Sequence, residues 1–289
     1  MRFHAFGGGT PRKDFQRVMS TYEGILVNKN GAVLEVVLNR PQVRNAITQQ
    51  MERDWDEILD VAEADPEVRV VTLRGAGPVF SAGHDLRASA ARNPEAAPPP
   101  PVAARRAPSP PRAWYFLKPI VAGVQGYVGP AANMMLSYCD FVIAAEGTRF
   151  SFENSKTNTV NPEATPFPML LPMRVLKKLY MMGGWMDADQ ALDYQYVQRV
   201  VPPAKLEEET NRWAEYICKL TPEAVQETKH AIHRMYEVMG LANMMGLGDR
   251  APRLQTGYNQ EFSQIVREKG LKEALKFRDS QFDPDIARV

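Results

Sequence analysis

The chain is poor in several residues and patterns that would point to particular chemistries. It has two cysteines, Cys139 and Cys218, far apart in its 289 residues, so no disulfide framework can be written for it. Cys139 lies in an apolar helical run, where a free thiol behaves as a small hydrophobe, and this usage points to a reducing, cytoplasmic compartment. No charge sign dominates, with 35 Lys and Arg against 34 Asp and Glu, so no overall field draws the protein to nucleic acid or to a membrane surface. Apolar runs long enough to cross a bilayer, about 20 residues, are missing, and so is the apolar core of a signal peptide. A GxGxxG after the first strand is also missing, which removes the main sequence reason to expect a dinucleotide-binding dehydrogenase.

Alternating apolar runs surround Asn30-Gly31 in GILVNKNGAVLEVVLN, the pattern of a tight hairpin. Thr48 is placed to cap a helix whose apolar positions are Met51, Trp55, Ile58, Leu59 and Ala62. VRVVTLRG (68–75), KPIVAGVQG (118–126) and FVIAAE (141–146) read as strands, with a helix in GYVGPAANMMLSYCD between the last two. Strands alternating with helices imply a mostly parallel sheet covered on both faces, an α/β fold. After Gly184 the pattern turns to helices with few strands: MDADQALDYQ, residues 205–220, 222–239, and from about 252 to the end. Residues 1–20 read as a disordered extension, 21–200 as a core and 201–289 as a helical region. Within the core, residues 94–111 carry eight prolines and five alanines, a composition that gives little to bury and reads as a flexible insertion. The stripe of Met235, Met239, Met244 and Met245 reads as packing or subunit contact.

Two strand-to-helix turns offer backbone donors. In FSAGHDL (80–86) the N–H of His84 can point out of a ladder, and in GYVGPAAN Gly126 and Gly129 open a helix whose first N–H groups lack intrahelical partners. Brought together, such groups form an oxyanion hole for the charge that develops on a thioester carbonyl.

The order and spacing of these pieces resemble the crotonase (enoyl-CoA hydratase/isomerase) superfamily. NRPQVRNA (39–46) is similar to its NRPxxxNA motif, FSAGHDL to FxAGxDL, KPIVAGVQGYVGPAANMMLSYCDFVIAAEGTRFSF to its central glycine-rich core, and EALKFRDSQF to its closing element. The resemblance implies a β/β/α superhelix with a C-terminal helical trimerisation region, an acyl-CoA substrate with coenzyme A as part of it and no permanently bound cofactor, and a homotrimer or dimer of trimers. It implies oxyanion donors at the backbone N–H groups of His84 and Ala131, and CoA near Arg44, Ala46, Ala82, Asp85, Leu86 and Phe277, while Ser280 stands where a lysine is usual. The two glutamates of the hydratases fall on Met134 and Asn154, neither of which moves a proton; both are expected to line the acyl pocket. Glu163 falls beside a position where some family members carry an aspartate and is a candidate proton carrier. His84 is a second candidate, beside the reading in which only its N–H matters and its side chain turns to solvent or CoA. Glu153 is expected on a solvated strand face, Asp140 in the family's structural Cys-Asp pair, and Asp85 as a turn cap. Tyr127 and Tyr138 are open between substrate contact and packing. Two functions follow: an enzyme acting on an unusual or bulky acyl-CoA by hydration, isomerisation or hydrolysis, or a non-catalytic acyl-CoA binder or assembly protein on the same fold.

Overall fold

The computed structural model describes residues 22–86, 112–153, 155–157, 165–241 and 257–289. The readings of residues 1–20 and 94–111, and those of Asn154, Glu163, Met244 and Met245, fall outside the described residues. The chain begins with the hairpin expected at Asn30-Gly31, β1 (Ile25–Asn30) and β2 (Val33–Leu38), with Gly31 at φ +60° in the turn. Thr48 Oγ1 accepts from the Met51 N–H at 3.2 Å and caps α1 (Gln49–Ala64), which buries Met51, Trp55, Ile58, Leu59 and Ala62. Then come β3 (Val70–Gly75), the short α2 (Arg112–Tyr115), β4 (Ile120–Val124), β5 (Tyr127–Val128), α3 (Pro130–Leu136), β6 (Phe141–Ala145) and β7 (Arg149–Ser151). The next elements are α4 (Phe167–Leu170), α5 (Met173–Met181), β8 (Trp185–Asp187), α6 (Ala188–Asp193) and β9 (Arg199–Val201). The chain closes with α7 (Leu206–Cys218), α8 (Pro222–Val238), α9 (Gly257–Lys269), α10 (Leu271–Asp279) and α11 (Pro284–Ala287).

Six strands form one sheet in the order β1-β2-β3-β4-β6-β9, parallel except for the opening hairpin. The reading of the region after Gly184 as helices with few strands did not locate β8 and β9. Each has only three residues, too few for a period-2 pattern to register; β9 is held by its pairing with β6 and β8 by its antiparallel pairing with β7.

The second sheet, β5-β7-β8, is small, but isolated parallel bridges extend its stack: Ile47 pairs with His84 and Ser81 with Val128. Successive strand–turn–helix units therefore lie one above another, as in the expected superhelix. The core between the layers is apolar and fully buried at Phe80, Phe116, Phe150, Phe152 and Phe167. Removing such side chains from water contributes about 1.5–3 kcal/mol each before the entropy cost of ordering them.

Candidate active site

Two turns of the stack meet where the oxyanion donors are expected. The Ser81 N–H donates to Tyr127 O at 3.3 Å and the Gly129 N–H to Ser81 O at 2.8 Å, which fixes the register between FSAGHDL and GYVGP. A Cβ on Gly129 would stand 2.2 Å from Ala82 O, so only glycine permits the approach. A Cβ on Gly83, which sits at φ +89°, would lie 3.4 Å from the Ala131 nitrogen.

Among the described residues neither amide meets a hydrogen-bond acceptor, and the surroundings explain why. Pro130 is the first residue of α3 and Ala131 the second, and the helical bonding starts only where the Asn133 N–H reaches Gly129 O at 2.9 Å. At His84 the parallel bridge is made by its neighbours: Ile47 donates to Gly83 O at 2.8 Å and accepts from the Asp85 N–H at 2.9 Å. His84's own N–H is consequently turned away from that strand.

The NRPQVRNA segment is the platform beneath these turns. Arg44 and Asn45 adopt positive φ of 56° and 52°. Fully buried Asn45 donates through Nδ2 to Ala76 O at 2.8 Å and Val79 O at 3.0 Å, and its backbone O accepts from Ser81 Oγ at 2.7 Å. Arg44 O accepts from the Ala82 N–H at 2.8 Å, and its exposed guanidinium lies 5.9 Å from the Tyr127 ring centroid. Ala46 is buried, and its carbonyl accepts from Arg40 Nη1 at 2.6 Å. Asp85 pairs with the same guanidinium at 3.2 Å, so its carboxylate joins the two motifs beyond any capping of a turn. Ala82 and half-buried Leu86 flank the same turn.

The His84 imidazole is at the surface, 54% exposed, with Nε2 2.9 Å from Glu52 Oε1 on α1. Met134 is half-buried on α3, and Phe277 is partly buried on α10, where Ser280 Oγ donates to Phe277 O at 2.8 Å. Asp140 is structural, as expected: its Oδ2 accepts from the Ile120 N–H at 2.7 Å and pairs with Lys229 Nζ at 2.8 Å. Burial drives the Cys139 thiol far above its ordinary range, which suits the inert hydrophobe read from the sequence.

One polar residue that holds the site together was missed as such in the sequence. Asn133, fully buried, donates from Nδ2 to Ser151 O at 2.8 Å and Val128 O at 3.2 Å, and its Oδ1 accepts from Tyr196 OH at 3.0 Å. A lone amide inside the apolar run AANMML was the available signal.

Glu153 requires a correction. Its carboxylate is buried, not solvated: Arg278 Nη2 lies 3.1 Å from Oε2, Tyr127 OH donates to the same oxygen at 3.1 Å, and Lys156 and Arg149 stand 3.5 and 3.8 Å from Oε1. Strand β7 ends at Ser151, so alternation stops before residue 153, and the turn swings the side chain inward. Burial alone would raise its pKa; the charges of Arg278, Lys156 and Arg149 and the Tyr127 hydroxyl more than offset this and lower it. For Tyr127, burial first and Glu153 second push the hydroxyl up to about 12, so it remains a proton-bearing donor, here to protein rather than substrate.

The family model for enoyl-CoA hydratase/isomerase matches residues 28–275. The chain belongs to the enoyl-CoA hydratase/isomerase family. Among curated relatives, carnitinyl-CoA dehydratase of Escherichia coli (strain K12) is 29% identical over 210 residues, covering 72% of this chain and 79% of that protein. The same enzyme of Salmonella heidelberg (strain SL476) is 30% identical over the same shares. Among solved structures, an enoyl-CoA hydratase/isomerase from Xanthobacter autotrophicus Py2 superposes with a TM-score of 0.79 at 30% identity, covering 91% of this chain and all (100%) of that one. The enoyl-CoA hydratase of Mycobacterium tuberculosis H37Rv gives 0.67 at 26% identity, covering 79% and 98%. The superhelix read from the motifs is thus the family's crotonase fold. Among the described residues no helix is long and apolar enough to cross a membrane, and no cluster of three or more His, Cys, Asp or Glu could hold a metal ion.

Proposed function

We propose that the protein polarises the thioester carbonyl of an acyl-CoA through the backbone N–H groups of His84 and Ala131. The observation that carries this reading is the close approach of Gly83 to the Ala131 nitrogen, with the His84 amide turned out of its ladder. Two amides aimed at one oxygen favour the enolate that forms when an α-proton leaves and its electron pair moves onto the thioester oxygen. Coenzyme A enters as part of the substrate, with its nucleotide end against Arg44, Ala46, Ala82, Asp85, Leu86 and Phe277, and no cofactor is bound permanently.

In this reading Met134 and Asn154 line the acyl pocket, and Glu163 carries the proton. Each general acid or base contributes about 10²- to 10⁴-fold, so a site with one carboxylate suits one-base proton transfer, or stepwise loss or addition of water, better than concerted two-acid hydration. The name of the carnitinyl-CoA dehydratases brings removal of water from an acyl-CoA into this range. The test is turnover on a panel of enoyl-, aryl-, β-hydroxy- and cyclic β-keto-acyl-CoAs. Reaction of at least one, with slow hydration of crotonyl-CoA, is expected; rapid hydration of crotonyl-CoA would overturn the assignment of roles.

The non-catalytic acyl-CoA binder remains as a second reading because methionine and asparagine occupy the two glutamate positions. It predicts acyl-CoA binding with no turnover across the panel. For the assembly we propose a homotrimer or dimer of trimers: Met235 and Val238 on α8 and Met239 at its cap are 60, 88 and 65% exposed in the single chain, which leaves these side chains available to a subunit contact.

A further inference from the structure

A cavity of about 640 Å³ opens beside the far end of α3, bounded by residues 137–141, α4 and α8. Its volume lies within the range of about 300–1,000 Å³ usual for drug-sized ligands. The wall is apolar and rich in rings, with Trp114, Tyr138, Met169, Ile232, Tyr236 and Leu241.

His233 is a polar exception in that wall. Its ring stacks on Trp114 with centroids 3.9 Å apart and planes 7° from parallel, and its Nδ1 lies 3.0 Å from Trp114 O. A carbonyl oxygen only accepts, so Nδ1 carries the hydrogen in that bond. Burial, followed by the charge of Lys229, lowers the imidazole's pKa from 6.5, against smaller opposing effects of Asp140, Trp114 O and Glu237, so the ring is neutral at pH 7. Nε2 then holds a lone pair, and among the described residues it meets no hydrogen-bonding partner. Three charged or polar groups of the wall are engaged elsewhere: Lys229 Nζ donates to Asp140 Oδ2 at 2.8 Å and Lys118 O at 3.1 Å, and Ser137 Oγ donates to Met134 O at 2.7 Å.

The cavity and the Ala131 amide lie at opposite ends of one helix. Ala131 is at the start of α3, and Ser137, on the cavity wall, caps its end. Six residues at about 1.5 Å each put that wall about 9 Å from the amide. Resting on the acyl-CoA reading above, we propose that this cavity receives the distal end of the acyl group, that this end is a ring bearing a hydroxyl, and that His233 Nε2 accepts its hydrogen. An apolar chain without a donor would leave that lone pair buried and unmatched, which is the basis of selectivity by a single hydrogen bond.

The test is calorimetric titration of the full chain with three saturated thioesters that cannot be hydrated: 4-phenylbutanoyl-CoA, 4-(4-hydroxyphenyl)butanoyl-CoA and 4-(4-methoxyphenyl)butanoyl-CoA, with free CoA as reference. The phenol is expected to bind about tenfold tighter than the phenyl compound, and the methoxy compound to gain nothing. His233→Phe keeps a ring to stack on Trp114 and removes the acceptor; it should bring the phenol to the affinity of the phenyl compound while that of free CoA stays within twofold. Equal binding of phenol and phenyl compounds, a methoxy compound as tight as the phenol, or a preference that survives in His233→Phe overturns the inference. The first two outcomes are read on the unmodified protein, whatever the variant's folding. If free CoA and all three thioesters fail to bind, the acyl-CoA reading itself falls and this inference with it; if CoA and the phenyl compound bind while the phenol gains nothing, only the inference falls.

Discussion

Arg278 Nη2 lies 3.1 Å from Glu153 Oε2, and both side chains are more than 90% buried. This ion pair fastens α10, which carries Phe277, to the turn that leads into position 154. The carboxylate also faces Lys156, Arg149 and the Tyr127 hydroxyl, so the two partners of the pair are not equally replaceable. Glu153→Ala should cost about 3 kcal/mol or more, since it leaves buried Lys156 without an anion beside Arg278, whose remaining partner is the half-exposed Asp279 at 2.7 Å. Arg278→Leu should cost less, because the remaining cations and Tyr127 still satisfy Glu153. Urea denaturation of the two variants checks the order, and an equal or reversed order would show that the cluster does not depend on its buried anion.

The same group sets an acid limit. Its folded-state pKa is lowered from the ordinary 4.5, so its contribution to stability is complete above pH 4.5 and is lost as pH falls below that value through the folded pKa. Melting temperatures of the wild type and Glu153→Gln, measured from pH 7 to pH 3, should converge on the acid side.

Gly129 and Gly83 separate close packing from backbone conformation. A methyl on Gly129 would sit 2.2 Å from Ala82 O, and Gly129→Ala should therefore pry the two turns apart and give little folded protein. Gly83→Ala should fold, at a cost of about 1–2 kcal/mol for a left-handed alanine, but its methyl lies 3.4 Å from the Ala131 nitrogen. A fall in kcat/KM of tenfold or more on any panel substrate is the expected reading, and unchanged kcat/KM would remove the Ala131 amide from the proposed mechanism.

Glu163→Gln should lower kcat by about 10²-fold or more while CoA affinity measured by calorimetry stays the same. Full activity in this variant would move the search for the proton carrier elsewhere, with the His84 imidazole as the first alternative.

Asn133→Ala removes the donor to Ser151 O and Val128 O and the acceptor of Tyr196 OH, all in the buried layer under α3. A loss of about 2–3 kcal/mol is expected, the desolvation of groups left without partners. A change below 1 kcal/mol in a denaturation curve would mean that water replaces the amide.

Local pattern determined much of this protein by itself. The Asn30-Gly31 hairpin, the Thr48 cap, the apolar face of α1 and the strands at 70–75, 120–124 and 141–145 depend on neighbours a few residues away, and period, capping and turn chemistry are written at that range. FSAGHDL and GYVGPAAN likewise marked two turns whose amides were expected to be open, because the first N–H groups of a helix lack intrahelical partners. What those turns meet was decided only by tertiary structure. Glu153 looked like a solvated strand residue until β7 stopped at Ser151 and Arg278, 125 residues on, was brought against it. Three-residue strands β8 and β9 exist because β7 and β6 offer them edges. The unmatched Nε2 of His233 arises because Trp114, 119 residues earlier, takes the other nitrogen. In each case the energy lies in burial and pairing between distant segments, which no local window of sequence contains.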